Sequence, residues 1–359
     1  MQKNVAMNGK NKKKRGGIKV TSQCLFLLLA SLGLIYVHLL GDLDIPDRGG
    51  SVGSLPSVIT TDAESGKSMA YAKPRLEDYI QGWNVTKNVN WLLDFSIVGF
   101  PKTGTSTLML YLKNQTQSIF IFEDERCEMG WNQHVPLLKD LHREYHPHLL
   151  MGIKCPRDLE VDYALNNYRS FFPETKFIVG VRSPIRWFES FYNFRVHNEF
   201  PMLAPQKLVG RCRKLNQGVC TNRANFSEHL SKIEDSRNVF LYEMNQLQNR
   251  ESMDVFLRDL QEFLGLKTPL DGPMMHVKPG RKPMSKELEQ KLMTKKINIC
   301  EDQYAELREL LKQQASASAH WILDAFLSNP NVKVSSPDYF KSLLQEWHSD
   351  PCDVEKHSR

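Results

Sequence analysis

Residues 95–113 place the tightest constraint on the fold. An apolar run at residues 95–98 (FSIV) predicts a buried strand, residues 99–107 (GFPKTGTST) form a turn with two glycines, and the apolar spacing over residues 105–113 predicts a helix. A strand that enters a helix through such a turn brings unpaired backbone N–H groups and the positive end of the helix dipole to one point. The segment therefore predicts a binding site for a phosphate-like anion.

The side chains of this turn are also those that an anion requires. Lys102 carries a full positive charge, and three consecutive residues with hydroxyl groups follow the second glycine. The residues predicted to bind the anion are Lys102, Thr103, Gly104, Thr105, Ser106 and Thr107.

The turn differs from the ATP-binding Walker A loop. In that loop a lysine directly follows the second glycine. Gly99 and Gly104 have the Walker spacing, but Thr105 occupies the lysine position. No apolar strand ending in Asp stands out as a metal-binding Walker B segment. These differences disfavour an ATP-dependent kinase, which stays the alternative reading of the loop.

Apolar and helical segments alternate through the rest of the chain. The remaining predicted strands are residues 149–153, 176–181 and 238–242, and the remaining helical patterns are residues 159–168, 185–197, 252–264, 285–314 (with a break) and 317–327. Strands separated by single helices pair in parallel through right-handed crossovers. The pattern predicts an α/β, P-loop-like domain of three layers, in which helices flank a central parallel sheet.

The N-terminal region predicts a membrane anchor. Residues 1–20 contain seven basic side chains and no acidic one. The uncharged, largely apolar run at residues 20–41 is long enough to cross a bilayer, and Asp42 and Asp44 follow it. Because the positive flank of a span stays in the cytosol, we expect a type II orientation with the C-terminal bulk in the lumen of the secretory pathway. A cleaved signal peptide is the alternative.

The positive charge of the chain is concentrated at its N-terminus. Taking the seven N-terminal basic groups from the formal net charge of +6 leaves −1, so the body of the chain is near neutral and no nucleic-acid-binding surface is expected. The predicted parts are a cytosolic basic tail (1–19), a transmembrane signal anchor (20–41), a stem (42–90), one α/β domain (91–330) and a C-terminal extension (331–359).

Two further features agree with a luminal body. N-glycosylation tripeptides begin at Asn84, Asn114 and Asn225. The chain has seven cysteines, and an oxidising compartment would permit disulfides; Cys212–Cys220 is the preferred pair. No cysteine or histidine cluster has zinc-binding spacing, and we expect no metal.

Residues 101–108 (PKTGTSTL) resemble the 5′-phosphosulfate loop of sulfotransferases that use 3′-phosphoadenosine 5′-phosphosulfate (PAPS) as the sulfonyl donor. The second motif of that family is an arginine at the end of a strand and a serine eight residues later in the next helix. Arg182 and Ser190 have this spacing, and Pro184 suits the first turn of the helix between them. The resemblance implies that Arg182 and Ser190 bind the 3′-phosphate of PAPS.

Weaker similarities point to the Golgi membrane-bound carbohydrate branch of the family, including its heparan-type members. Residues 152–156 (GIKCP) resemble a Lys-[Ser/Thr]-Pro segment of that branch, with Cys155 as a departure, and imply a position for Lys154 near the reacting groups. Residues 276–283 (HVKPGRKP) resemble a loop near the 3′-phosphate, which adds Gly280 and Arg281 to the donor-binding residues. The resemblance covers about residues 93–311.

The resemblance implies a Golgi enzyme that moves a sulfonyl group from PAPS to a glycan hydroxyl by in-line displacement, without a metal, with Lys102 and Lys154 among the catalytic residues. Heparan-type members use a glutamate as general base shortly after the first helix and a short strand, and residues 120–128 (FIFEDERCE) correspond to that stretch. Glu125 is the preferred base. The alternatives are Glu123, Glu128 and His134.

A third reading is a non-catalytic glycan-binding protein on a degenerate nucleotide fold. Retention of Lys102, Arg182 and Ser190 opposes it. The basic insert at residues 207–213 is either a solvated loop or a surface that grips an anionic acceptor chain.

Overall fold

The computed structural model describes residues 73–131, 133–213, 216–234, 238–274 and 285–353. The predicted cytosolic tail, the predicted membrane anchor and residues 42–72 of the predicted stem lie outside these ranges, as do Gly280 and Arg281. Within the described ranges, no helix combines the length and the apolar character needed to cross a bilayer.

Strands and helices alternate along the described chain. The strands are β1 (Ile80–Gln81), β2 (Asn84–Val85), β3 (Phe95–Ile97), β4 (Ile119–Ile121), β5 (Leu150–Lys154), β6 (Lys176–Val181), β7 (Val239–Glu243) and β8 (Val332–Val334). The α-helices are α1 (Thr105–Lys113), α2 (His134–Glu144), α3 (Asp162–Phe171), α4 (Pro184–His197), α5 (Phe226–Leu230), α6 (Arg250–Leu264), α7 (Lys286–Met293), α8 (Ala305–Ala325) and α9 (Pro337–Glu346).

Six of the strands form one sheet in the order β4-β5-β3-β6-β7-β8, and every neighbouring pair is parallel. β3 and β6 are neighbours at the centre of the sheet. After β3 the chain crosses to β4 at one edge, whereas after β6 it crosses in the opposite direction to β7. The topological switch point therefore lies between β3 and β6, the place where open parallel sheets bind ligands outside the carboxyl ends of their strands. The short strands β1 and β2 pair separately as an antiparallel hairpin.

The strands alternate their side chains between two helical layers. Phe95 and Ile97 of β3 pack in the cluster that includes residues of α1 and α6. Val98, just beyond β3, packs in the larger cluster on the other side, which includes residues of α2, α3, α4 and α8. Alternate residues of a strand face opposite sides of a sheet, so the core consists of two clusters separated by the sheet. This arrangement confirms the predicted α/β architecture with a central parallel sheet between helices.

Several predicted elements have different limits. The helix predicted over residues 159–168 is α3, which begins later, at Asp162, and ends at Phe171. It begins later because Asp158–Glu160 form a separate 3₁₀ turn. The pattern over residues 285–314 breaks into α7 and the start of α8, and the pattern over residues 317–327 falls on the last part of α8, which ends at Ala325. The structure also contains elements that were not predicted, namely β1, β2, β8, α2, α5 and α9.

The ends of the predicted α/β domain also differ from the prediction. Leu76 and Val89, in the predicted stem, are buried in the core. On the C-terminal side, β8 forms the edge of the sheet beside β7. Residues 331–353 therefore belong to the folded domain instead of extending from it.

The described residues contain three disulfides. Cys212–Cys220 is the predicted pair and is confirmed. Cys300–Cys352 ties the C-terminal segment to the chain before α8. Cys127–Cys155 was not predicted, and it joins the loop after β4 to the residue that follows β5.

Candidate active site

The loop between β3 and α1 has an unusual backbone. Lys102 has a φ of 69° and Gly104 has a φ of 86°. A lysine rarely adopts the left-handed region, and such conformations concentrate at functional sites. At Gly104 a Cβ atom would also lie 2.9 Å from Leu247 Cδ1. Glycine therefore suits this position for its conformation, whereas the Leu247 side chain could shift to make room for a Cβ atom.

Side chains fix the carbonyl groups of this loop. Each of the four successive carbonyls from Phe100 to Thr103 accepts a hydrogen bond from a side chain. The bonds are Thr103 Oγ1 to Phe100 O (2.6 Å), Trp187 Nε1 to Pro101 O (2.8 Å), Arg182 Nη1 to Lys102 O (3.2 Å) and Tyr242 OH to Thr103 O (3.0 Å).

This carbonyl arrangement determines where the N–H groups of the loop point. In a planar trans peptide the C=O and N–H bonds point in opposite directions, so the N–H groups of Lys102, Thr103 and Gly104 point away from the side chains that hold the carbonyls. The first turn of α1 adds N–H groups that have no acceptor within the helix. The loop thus presents a row of backbone donors at the switch point, as an anion requires.

The loop packs closely against the sheet. A Cβ atom at Gly180 of β6 would lie 2.6 Å from the Tyr242 hydroxyl oxygen and 2.8 Å from Thr103 Oγ1. Only glycine at this position of β6 lets Tyr242 reach across to the Thr103 carbonyl. The geometry of the anion loop therefore depends on β6 and β7 as well as on β3.

Positive charges accumulate beside the loop. The Lys102 ammonium lies 4.5 Å from the centroid of the Phe194 ring. Burial, together with the positive charges of Arg182 and Lys154, lowers the pKa of Lys102 to about 8. Burial also lowers the pKa of Arg182, partly offset by Glu243 and Glu189. Three positive charges gathered at the carboxyl ends of neighbouring strands indicate a site that suits an anion.

Lys154 joins the loop to the predicted base. Its side chain is 2% exposed, and its ammonium donates to Ser106 Oγ (2.8 Å) and to Glu125 Oε1 (2.7 Å). The Glu125 side chain is 54% exposed. One buried cation therefore links a hydroxyl at the start of α1 to a carboxylate that solvent, or a substrate hydroxyl, can reach.

The alternative bases occupy other surroundings. Glu123 pairs with Lys113 at an exposed position, and Glu128 pairs with Arg126 at 2.7 Å. His134 begins α2, its ring centroid lies 5.0 Å from that of Phe171, and burial lowers its pKa. Within the described residues, the ion pair of Lys154 is with Glu125.

The structure describes some of the remaining residues that are predicted to bind the donor. Arg182 directly follows β6, and Ser190 lies on α4 with its side chain half-buried. Thr105, Ser106 and Thr107 form the first turn of α1. Gly280 and Arg281 lie outside the described residues.

Three residues beside the loop have contacts that their local sequence does not predict. Trp187 and Tyr242 hold loop carbonyls, and nothing in their local sequence distinguishes them from ordinary core aromatics. Arg195 on α4 lies 5.0 Å from the Phe191 ring centroid and 4.7 Å from that of Phe200, and its Nε is buried without a hydrogen-bond partner in the described residues.

Arg195 lies near two other arginines, Arg223 and Arg157. Burial and the positive charges of Arg223 and Arg157 lower its pKa, with Glu125 opposing them. Arg223 is neutralised by Glu160 at 2.6 Å. Arg195 therefore adds positive charge on the side of the site toward Glu125.

No family model and no curated protein matches the chain. Among solved structures, the crystal structure of a sulfotransferase from Alicyclobacillus acidocaldarius is similar, with a TM-score of 0.46 and 15% sequence identity over 64% of this chain and 96% of that chain. A likeness at this level does not by itself assign an activity.

Proposed function

We propose that the protein is a sulfotransferase that transfers a sulfonyl group from PAPS to a hydroxyl group of a glycan. The observation that carries the proposal is the linked arrangement of the anion loop, Lys154 and Glu125 at the carboxyl end of the sheet. Ser106 of the loop and Glu125 share the same buried ammonium. An anion site and a carboxylate base connected through one cation suit transfer of an anionic group to a hydroxyl.

The residues suit a donor that carries one phosphate on the 5′ position and one on the 3′ position of its ribose. The N–H groups of the loop, with Lys102 and the hydroxyls of the first turn of α1, would hold the 5′-phosphosulfate. Arg182 and Ser190 would hold the 3′-phosphate, joined by Gly280 and Arg281. Arg182, from the proposed 3′-phosphate site, donates a hydrogen bond to the carbonyl of Lys102, from the proposed 5′-phosphosulfate site. The two sites are therefore adjacent. That link supports one donor spanning both sites.

When bound, PAPS supplies a sulfonyl group on a good leaving phosphate. Glu125 accepts the proton of the acceptor hydroxyl as the new S–O bond forms. Lys102 and the backbone donors stabilise the negative charge that develops on the phosphate oxygen as the old S–O bond breaks. Lys154 orients Glu125 and Ser106. The protein thereby contributes positioning and charge stabilisation, with lysine and arginine as its cations.

The cellular setting is part of the proposal. We infer a single-pass type II Golgi membrane protein, anchored by residues 20–41, with its catalytic domain in the lumen. The run at residues 20–41 supports the anchor. The three disulfides of the described residues support an oxidising compartment.

The decisive experiment uses the full-length protein in detergent. Binding of 3′-phosphoadenosine 5′-phosphate (PAP) is measured by calorimetry, and transfer is measured with radiolabelled PAPS and a panel of glycans. We expect PAP binding and labelling of at least one glycan; in Lys102→Ala the labelling should be lost and the PAP affinity should fall at least tenfold. Magnesium-dependent transfer from radiolabelled ATP would overturn the proposal in favour of a kinase. Glycan binding without PAP binding would overturn it in favour of a non-catalytic protein.

A further inference from the structure

The loop that carries Glu125 is attached to the end of β5 at two adjacent points. The backbone N–H of Arg126 donates to the carbonyl of Lys154 at 2.8 Å. The disulfide Cys127–Cys155 follows directly, with a Cα–Cα distance of 5.1 Å. One attachment point involves Lys154 itself and the other the residue after it. Both attachments therefore lie within two residues of Glu125 and within one residue of Lys154.

The ion pair does not by itself fix the loop that carries Glu125. The Glu125 side chain is more than half exposed, although its partner Lys154 is buried. The pair therefore restrains the carboxylate group and leaves the backbone of the loop to be fixed by other contacts. The position of its backbone must therefore come from covalent and hydrogen-bonded attachments nearby.

The disulfide connects that exposed loop to a rigid part of the core. Cys155 is fully buried, whereas Cys127 is half-buried in the loop. The two sulfur atoms and a carboxylate oxygen of Asp158 lie within 4.8 Å of one another. Asp158 in turn accepts a hydrogen bond from the Tyr168 hydroxyl at 2.9 Å. The loop is thus bonded to a packed, hydrogen-bonded layer beneath the site.

We propose that the Cys127–Cys155 disulfide is a positioning element that holds Glu125 at the distance from Lys154 and the anion loop that transfer requires. This inference rests on the proposed function, in which Glu125 is the general base. A displacement of about 1 Å at a reacting group can cost about 10²-fold in rate. The disulfide should therefore matter to turnover more than to donor binding.

The other disulfides provide a control for general stability. Cys300–Cys352 closes a longer stretch of chain, 52 residues against 28 for Cys127–Cys155. In the chain-entropy account a longer closed loop stabilises the fold slightly more. A purely structural role would therefore make loss of Cys300–Cys352 at least as harmful as loss of Cys127–Cys155. A positioning role predicts the reverse order for turnover.

The test uses the full-length protein with Cys127→Ala/Cys155→Ala, and Cys300→Ala/Cys352→Ala as the control. Alanine avoids placing a hydroxyl at the buried position 155. If the first variant does not fold, Cys127→Ala/Cys155→Val fills more of the space. Thermal unfolding checks the fold of each. We expect a fall in kcat of at least tenfold for the first variant, PAP affinity within twofold of wild type, and kcat within threefold of wild type for the control.

A double-mutant cycle with Glu125→Gln shows whether the disulfide acts through Glu125. Effects that operate through one shared group are not additive. In the Glu125→Gln background, removal of Cys127–Cys155 should lower kcat by less than twofold further. A full multiplication of the two losses, or a wild-type kcat in the disulfide variant, would overturn the inference.

Hydrogen–deuterium exchange of residues 122–128 gives a readout independent of activity. We expect exchange at least tenfold faster without Cys127–Cys155 and unchanged without Cys300–Cys352. Unchanged exchange in both variants would refute the positioning role. Absence of sulfonyl transfer by the wild-type protein would instead refute the proposed function, and the exchange result would still decide whether the disulfide fixes the loop.

Discussion

Lys154 and Glu125 form an ion pair of 2.7 Å between a buried ammonium and an exposed carboxylate. A buried charge is tolerated when it is paired and hydrogen-bonded, and Lys154 has a second acceptor in Ser106. The carboxylate, in contrast, stays accessible to a substrate. This asymmetry gives the two residues different roles, one in organising the site and one in proton transfer.

Glu125→Gln should lower kcat by about 10²–10⁴-fold, the usual contribution of a general base. PAP affinity should stay within twofold of wild type, because the ion pair of Glu125 in the described part of the chain is with Lys154 and not with a residue of the anion loop. Glu123→Gln is the matched control, since Glu123 lies in the same loop but pairs with exposed Lys113. Steady-state transfer kinetics and PAP calorimetry measure both variants. Loss of turnover in Glu123→Gln with normal turnover in Glu125→Gln would assign the base to Glu123.

The parts of the fold that the sequence predicts well are locally encoded. The turn at residues 99–107 is followed by α1 over Thr105–Lys113, the predicted range. The helix after Arg182 begins at Pro184, one residue before the predicted start. In both cases an apolar strand, a turn and a helical period lie next to one another along the chain.

What the sequence does not reveal depends on neighbours in space. β4 and β8 are three-residue strands at the two edges of the sheet, too short to show a period of their own. Cys127–Cys155 requires β4 to lie beside β5. The role of Tyr242 requires β7 to lie beside β6 and the glycine at position 180 to leave space. Sheet order, which determines these contacts, is not readable from one sequence.

Tyr242→Phe tests whether the loop carbonyls control anion binding. It removes the hydroxyl that donates to Thr103 O, and an unsatisfied buried acceptor costs about 1–3 kcal/mol. We expect a lower melting temperature and a PAP affinity reduced at least threefold. Tyr192→Phe is the control, because its hydroxyl donates to Leu203 O away from the loop. It should lose stability only; an equal loss of PAP affinity in both variants would contradict a specific role for Tyr242.

Arg182→Gln tests the assignment of the 3′-phosphate. A hydrogen bond to a charged group contributes about 1.5–3 kcal/mol, so the preference for PAP over adenosine 5′-phosphate should fall at least tenfold. Taking the ratio of the two affinities removes any general effect on the loop, whose Lys102 carbonyl Arg182 also contacts. Arg186→Gln, in the first turn of α4 that follows Arg182, should keep the wild-type ratio. A ratio unchanged in Arg182→Gln would place the 3′-phosphate elsewhere.

Lys102 should make donor binding sensitive to pH in the weakly alkaline range. Its pKa is lowered to about 8 by burial and by Arg182 and Lys154, so the free protein loses this positive charge as pH rises through 8. A bound anion favours the charged form and raises the pKa, hence proton uptake accompanies binding and affinity falls at higher pH. The dissociation constant for PAP should rise about tenfold between pH 7 and pH 9, since each pH unit above the pKa corresponds to about 1.4 kcal/mol.

Two substitutions isolate this titration. Lys102→Arg keeps its charge throughout the range, because the guanidinium does not lose its proton there, and Lys102→Met carries no charge at any pH. Both should show a PAP dissociation constant that changes less than threefold between pH 7 and pH 9, with Lys102→Met the weaker binder. Calorimetry in buffers of different ionisation enthalpy also measures the proton uptake directly. A wild-type dissociation constant that is flat across this range would mean that Lys102 does not contact the bound anion.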